Sequence, residues 1–352
     1  MDEAARLSAP SGSLTPMRPA LRLGLLPLWR DRDTVQIGID PRRAVAISGM
    51  ASAFEVIRLL DGSREREQIL AEASTRGVPA AVSERVLTLL AAAGVLIDFP
   101  ADPLRSVRPE LRHQLLPLLA TASLCALDGD GGSRLLARRS ATTVEVRGSG
   151  PVAATLTDLL ARSGLTTTGG ADSNARRPVW PDLIVLVGHQ SPTQTAELLS
   201  AQSPYLAVCA EEAIGVVGPL VLPGLTACLR CIDLARTDGD PAWPLILAQR
   251  AQRTVDPSAC DAVLATAVAA QAAAQVLAFA DRPAAGRLAA DQPRADPSRT
   301  DQTCASGLAD DRWGTPVATA NGTLELVLPW WQWRRRSWRP HPACLCGCRA
   351  AA

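Results

Sequence analysis

The sequence predicts an α/β protein in two parts, a small β3α3 module of winged-helix-like order followed by a Rossmann-like domain carrying a zinc clip. Three observations lead there. The apolar period changes from two to 3.6 between Leu25 and Gly94. A strand, a glycine turn and an amphipathic helix follow one another from Thr142 to Arg162. Cys228 and Cys231 have a partner cluster of cysteines at the far end of the chain.

Residues 1–20, rich in Ser, Pro and Ala, are expected to be a disordered tail. The module spans 21–100. Leu26–Trp29, Val35–Ile39 and the alternation of Val45 with Ile47 give three short strands. Phe54, Ile57 and Leu60, then Ile69, Leu70 and Ala73, then Val82, Val86, Leu89 and Leu90 give three helices, with a last strand at Val95–Asp98. A connector over 101–140 holds the leucine-rich helix Leu111–Leu124. The second unit, 141–283, opens with a strand at Thr142–Arg147 and a helix at Val152–Arg162. It continues with strands at Leu183–Val187 and Leu206–Ala210, a pattern of parallel sheet. Ala259–Ala280 is apolar but interrupted by Asp261, Gln271 and Gln275, which makes it a buried helix rather than a membrane span. Residues 284–315 are expected to be a flexible loop. The last segment, 316–352, contains a strand at Thr323–Leu328 and then the cysteine tail.

Composition excludes several functions. A chain of 352 residues exceeds one ordinary core, and 47% hydrophobic content argues against disorder. A formal net charge of +1 is not that of a globally basic nucleic-acid binder. All 36 cationic side chains are arginine, so no Schiff-base lysine or phosphate-loop lysine exists. Met1–Pro19 has no cationic start followed by an apolar run, so a secretory signal is not expected and the cytoplasm is. In that compartment nine cysteines point to metal or to free core thiols rather than to disulfides.

Cys228-Leu-Arg-Cys231 has the gap that presents two thiolates from one turn to a tetrahedral ion at about 2.3 Å. Cys344-Leu-Cys346-Gly-Cys348 offers a second half-site, with two of its three cysteines completing a structural zinc site; a redox pair is the competing reading. His341 could replace one thiolate, and Cys125, Cys209, Cys260 and Cys304 read as inert. Gly148-Ser-Gly150-Pro-Val-Ala153 lies between a strand and a helix, where glycines let backbone amides approach phosphate. It equally fits a turn kept for helix–strand packing. The acidic ribose ligand expected near the next strand's end is missing from Leu165–Gly170, with Asp172 a weak substitute. His113, His189 and His341 are scattered and form no catalytic constellation. Trp330, Trp331, Trp333 and Trp338 with Arg334–Arg336 and Arg339 could stack bases; the reading adopted is a terminal strand, tryptophans packed inward and arginines outward.

At this point the second unit resembles the ThiF-like superfamily, the ubiquitin-activating type of adenylating fold, in the branch tied to ribosomally made azole-modified (TOMM, bacteriocin-like) peptides. The resemblance rests on Gly148–Ala153, on Val217-Gly-Pro-Leu-Val-Leu-Pro-Gly224 running into Cys228-x-x-Cys231, on Asp240-Pro-Ala-Trp-Pro244, on Ala259–Ala280 and on His341-Pro-Ala-Cys-Leu-Cys346. The first unit resembles the PqqD-like leader-peptide recognition module. Together the two cover about residues 21–348.

The resemblance implies zinc on Cys228, Cys231, Cys344 and Cys346, with Cys348 surplus. It implies a leader peptide added as a strand beside Ala44, Val45, Ala46 and Ile47 and lying against Val82, Arg85, Val86 and Leu89. An exposed edge supplies backbone hydrogen bonds for such binding. The third helix carries Arg85 as its one cation, too few for the phosphate contacts of a winged-helix DNA reader. Active members hold ATP and magnesium with carboxylates and a lysine; here no lysine exists and Val187-Gly-His-Gln190 lacks the aspartate. Losing contacts of roughly 1.5–3 kcal/mol each would leave Gly148, Gly150 and Ala153 as a vestigial nucleotide site. The expectation is a noncatalytic pseudoenzyme that captures a precursor leader and presents it to a separate YcaO-type cyclodehydratase, with the ThiF-like unit as docking and homodimerisation scaffold and no nucleic-acid or membrane partner. The alternative is a ThiF/MoeB/HesA-type adenylyltransferase that activates a peptide or protein C-terminus with ATP.

Overall fold

A computed structural model of the chain describes residues 18–49, 52–98, 109–125, 130–168, 180–251, 259–282 and 317–348. The expected loop 284–315, Asp172 and Cys304 lie outside these residues, as does the tail up to residue 17. The chain divides into two compact units, Met1–Ala137 and Arg138–Ala352.

In the first unit, strands β2 (Pro27–Trp29), β3 (Thr34–Ile37) and β4 (Val45–Ser48) form an antiparallel sheet in that order, which leaves β4 at an edge. Strand β1 (Pro19–Leu21) pairs antiparallel with β5 (Leu96–Asp98). Order therefore starts earlier than the sequence suggests, because Ala20 and Leu21 find backbone partners in Ile97 and Leu96 some 75 residues on. Helices α1 (Ala53–Ile57), α2 (Arg66–Thr75) and α3 (Ala80–Ala92) cover the sheet. At the start of α2 the Gln68 side chain accepts from the Glu65 amide at 2.9 Å, satisfying a donor the helix itself cannot. Glu72 accepts from both Arg64 at 2.7 Å and Arg76 at 2.6 Å. Val35, Ile37, Ile47, Val56, Ile69, Val86 and Leu90 form the core, each buried side chain contributing about 1.5–3 kcal/mol. The connector helix α4 (Pro109–Cys125) follows, tied down by Arg22, whose guanidinium donates to the carbonyls of Gly94 and Ser123. Helix α5 (Ser133–Ala141) leads into the second unit.

That unit is built on a seven-stranded sheet of order β12-β11-β10-β9-β8-β6-β7. Strands β6 (Thr143–Arg147), β7 (Thr166–Thr168), β8 (Leu183–Val187) and β9 (Tyr205–Glu211) are parallel. Strands β10 (Ile214–Val221), β11 (Gly322–Val327) and β12 (Gln332–Ser337) add on antiparallel. The sheet is thus mixed and not purely parallel as expected. Turns at Glu212-Ala213 and at Pro329–Trp331 return the chain beside the strand just finished, whereas a parallel neighbour needs a crossover.

Central strand β8 is apolar throughout because both of its faces are covered. Leu183 and Val185 pack in one cluster with α6 (Pro151–Arg162) and α10 (Ala262–Ala280). Ile184 and Leu186 pack on the opposite face with α7 (Pro192–Ser200) and α8 (Leu229–Gly239). Helix α10 is long and apolar enough to cross a membrane by length and composition, yet Leu264, Val268, Ala272 and Val276 are core residues against the sheet and α6. Asp261 caps it, accepting from the Leu264 amide at 2.8 Å. Helix α9 (Trp243–Ala251) is held to α8 by the Trp243 indole, which donates to Asp233 at 3.1 Å.

The arginine and tryptophan run divides in two. Trp333 is half-buried and Trp338 buried, its indole donating to Thr323 at 3.0 Å, while Arg334–Arg336 face outward. Trp330 and Trp331, expected to pack on the sheet, are exposed, since they occupy the turn between β11 and β12.

Candidate metal centre and neighbouring sites

Cys228 is the residue immediately before α8, and its extended backbone (φ −91°, ψ 173°) turns its thiol beneath the helix start. Cys231 sits one turn on, so the two-residue spacer places both sulfurs on one side, 3.7 Å apart. The loop before them is fixed by Thr226, whose hydroxyl donates to the Leu220 carbonyl and accepts from the Leu222 amide, and by Asn321, which accepts from the Ala227 amide at 2.7 Å. Strand β12 then delivers the C-terminal half. Cys344 Sγ lies 3.6 Å from Cys228 Sγ, and Cys346 Sγ lies 3.6 Å from Cys231 Sγ.

All four sulfurs lie within 4.8 Å of one another, and three of the four cysteines are buried. A tetrahedron of sulfurs around an ion at about 2.3 Å has an edge of about 3.8 Å, close to the three separations above. A disulfide would need about 2.05 Å, so these are free thiols arranged around a common centre. The site can hold a metal ion, and a closed four-thiolate donor set suits zinc.

Backbone amides are already aimed at these sulfurs: Cys231 N–H at Cys228, His341 N–H at Cys231 and Cys346 N–H at Cys344. The hydrogen bond from the Cys228 thiol holds the Cys231 thiol down to about 4 and correspondingly raises Cys228 itself. Burial pushes the Cys344 thiol up to about 11. Cys348, the remaining tail cysteine, is buried but donates to the Thr226 carbonyl at 3.1 Å, outside the group of four. His341 also lies outside it. Its Nδ1 accepts from the Ala343 amide at 3.2 Å, which leaves Nε2–H to donate to Asp238 at 2.9 Å, so the ring braces the tail turn. The sole tyrosine, Tyr205, was not distinguished in the sequence, and nothing in the pattern of β9 marks it. The fold buries it completely in the same cluster as Cys228, Cys231 and Cys344.

The glycine turn lies at the end of β6, where the sheet order switches between β6 and β8. Gly148 has φ +134°, and a Cβ there would stand 2.4 Å from the Val187 carbonyl, so packing against β8 alone requires glycine. Gly150, at φ +89°, caps α6 and has open space where a Cβ would be. Ala153 is buried under the helix. Arg147, the last residue of β6, is engaged by Glu145 through two hydrogen bonds of 2.9 Å. After β8, Gln190 donates to the Gly188 carbonyl at 2.7 Å and His189 is exposed.

In the first unit Ala44 and Val45 are half-buried and Ala46 exposed along edge strand β4, whereas the Ile47 side chain belongs to the core. On α3, Val82, Arg85 and Leu89 reach the surface in varying degree, but Val86 is fully buried and has no side-chain surface for a ligand. A cleft of about 470 Å³ lies at the β3–β4 turn, lined by Leu25, Leu26, Ile39, Asp40, Arg42 and Arg43 among others.

No family model and no curated protein matches the chain. Solved structures do. The heterocyclase TruD superposes with a TM-score of 0.60 at 18% identity, over 95% of this chain and 43% of TruD. A heterocyclase in complex with substrate and cofactor gives 0.62 at 15% identity, over 94% and 39%. MccB of E. coli, crystallised with AMPCPP and MccA, gives 0.57 at 12% identity, over 94% of this chain and 99% of MccB. The chain therefore spans less than half the length of the heterocyclases it matches and nearly all of MccB. Likenesses at this identity establish the fold alone, one shared with TruD and MccB.

Proposed function

We propose that this chain is a precursor-binding scaffold in the biosynthesis of a ribosomally made, post-translationally modified peptide. Its residues 21–100 act as a PqqD-like module that captures the leader. The observation that carries the reading is the edge of β4, which among the described residues pairs with β3 on one side only. An extended leader adding to that edge gains main-chain hydrogen bonds. Val82, Arg85 and Leu89 on α3 supply side-chain contacts beside it, and Arg85 favours an acidic residue in the leader.

The modifying enzyme is a separate YcaO-type cyclodehydratase. The match to 43% of the heterocyclase TruD supports a role beside such an enzyme. Zinc on Cys228, Cys231, Cys344 and Cys346 is structural: four protein ligands leave no open position for substrate, and the ion clips the C-terminal tail to α8. The ThiF-like unit serves docking and homodimerisation. Its glycine turn serves packing, since Gly148 is needed against Val187 and Arg147 is occupied by Glu145.

The near-complete coverage of MccB, a protein crystallised with AMPCPP, favours the adenylyltransferase as second reading. Calorimetric titration separates them. Titrating the chain with ATP and magnesium, and in parallel with any short peptide found encoded beside its gene, should give binding to the peptide and none to ATP. Micromolar ATP binding with ATP–pyrophosphate exchange would overturn the scaffold reading.

A further inference from the structure

Strand β12 ends the seven-stranded sheet, and among the described residues it pairs with β11 on one side only. Such an edge offers backbone N–H and C=O groups to one more strand. Alternation puts Arg334 and Arg336 on one face of β12, the face that carries Thr323 and Glu325 of β11. Trp333 and Arg335 take the other.

The charge along this edge is not compensated. Elsewhere in the second unit Arg139, Arg147, Arg162 and Arg250 are each held by a carboxylate. Arg334, Arg336 and Arg339 are exposed and form no hydrogen bond or ion pair among the described residues; Arg336 lies over the Trp338 ring at 4.3 Å. Arg335 donates to neutral acceptors, the Ala318 carbonyl at 2.8 Å and the Ser337 hydroxyl at 2.6 Å among them. Glu325, directly opposite Arg334, accepts from the Thr323 hydroxyl at 2.9 Å instead.

At the start of the strand Trp330 is 68% exposed and Trp331 44% exposed. Trp331 has φ +53°, a conformation that glycine or asparagine adopts at lower cost, and its ring adds little to the core. Arginines on an edge can serve only to prevent self-pairing, but that role needs no exposed tryptophans beside them. A second copy of the chain is a poor occupant, because pairing two β12 edges would set arginine against arginine.

We propose that the β12 edge is the docking site for an extended segment of a partner protein in which acidic and apolar residues alternate. The segment adds as a strand, with carboxylates on the face of Arg334 and Arg336 and apolar side chains on the face of Trp333. Its end rests against Trp330 and Trp331. The inference rests on the docking role proposed above for this unit, and leader capture by the first unit does not enter it.

The test uses the full chain and a fluorescein-labelled eight-residue peptide of alternating glutamate and valine, read by anisotropy. Binding should saturate, weaken as salt is raised, and fall at least about tenfold in Arg334→Glu/Arg336→Glu. Trp330→Ala/Trp331→Gly should also weaken it, with the melting temperature of both variants unchanged. Arg32→Glu/Arg162→Glu, the same charge change on exposed arginines elsewhere, should bind like wild type. A peptide of alternating lysine and valine should not bind. Absence of saturable binding would overturn the proposal, as would equal affinity in Arg334→Glu/Arg336→Glu. Tighter binding of an oligothymidylate that displaces the peptide would assign the edge to nucleic acid instead, and a wild-type dimer abolished by the same charge change would assign it to a second copy. Leader binding, read separately with the α3 variant Arg85→Ala, keeps failure of the scaffold reading distinct from failure here.

Discussion

Cys228 and Cys344 are 116 positions apart in the chain, and their sulfurs lie 3.6 Å from each other. That contact joins the start of α8 to the tail beyond β12. Replacing either residue by serine should abolish stoichiometric metal, whereas Cys348→Ser should retain it, because the Cys348 thiol is directed at the Thr226 carbonyl. Elemental analysis of the purified variants decides this.

Chelation should lower the melting temperature, since an ion bound only by the folded chain stabilises it by mass action. Uptake should also release protons: burial holds the Cys344 thiol near 11, so it is protonated at neutral pH and must ionise to bind. Apparent affinity should therefore fall as pH is lowered. Calorimetric titration in buffers of different ionisation enthalpy would count the protons.

The two glycines of the β6–α6 turn should differ. Gly148→Ala places a Cβ 2.4 Å from a backbone oxygen at an unfavourable φ, and should destabilise the fold by at least about 2 kcal/mol. Gly150→Ala meets no atom and bears only the conformational strain, about 1–2 kcal/mol. Denaturant midpoints of the two variants check the order.

Arg139 and Asp281 form a bidentate pair at 2.7 Å that ties α5 to the end of α10, and Arg139 is almost wholly buried. Arg139→Met should cost about 3–5 kcal/mol by stranding the Asp281 carboxylate, with Arg139→Met/Asp281→Leu recovering much of it. A double-mutant cycle in denaturant measures the coupling.

On α3, Arg85→Ala and Leu89→Ala should leave the melting temperature nearly unchanged, since both side chains are exposed. Each should weaken leader-peptide binding by about 1.4 kcal/mol, near tenfold. Val86→Ala, at a fully buried position, should instead lower stability. Anisotropy of a labelled peptide against thermal melts separates the two effects.

Several elements were legible in the residue pattern because their causes are local. The 3.6-residue period gave α2 and α3, the alternation of Val45 with Ile47 gave β4, and the continuous apolar run Leu183–Leu186 gave β8. The turn after β6 was legible from its glycines. The pairing of β1 with β5 was not, because three residues carry no period and their partner lies far along the chain. In the antiparallel half of the sheet β11 and the terminal strand after it were legible but β10 was not, since it depends on a tight turn from β9 and on pairing with β11 about a hundred residues on.

The sequence by itself determined the chemistry available: arginine as the sole side-chain cation apart from histidine, no catalytic histidine constellation, and two cysteine clusters spaced for metal. Which thiols share a centre, that Cys348 and His341 have other partners, and that Tyr205 stands beside them were decided by the tertiary structure. The reason is physical. Spacing fixes which side chains one turn can present, whereas burial and the meeting of distant segments depend on how α8, β9 and the tail pack together.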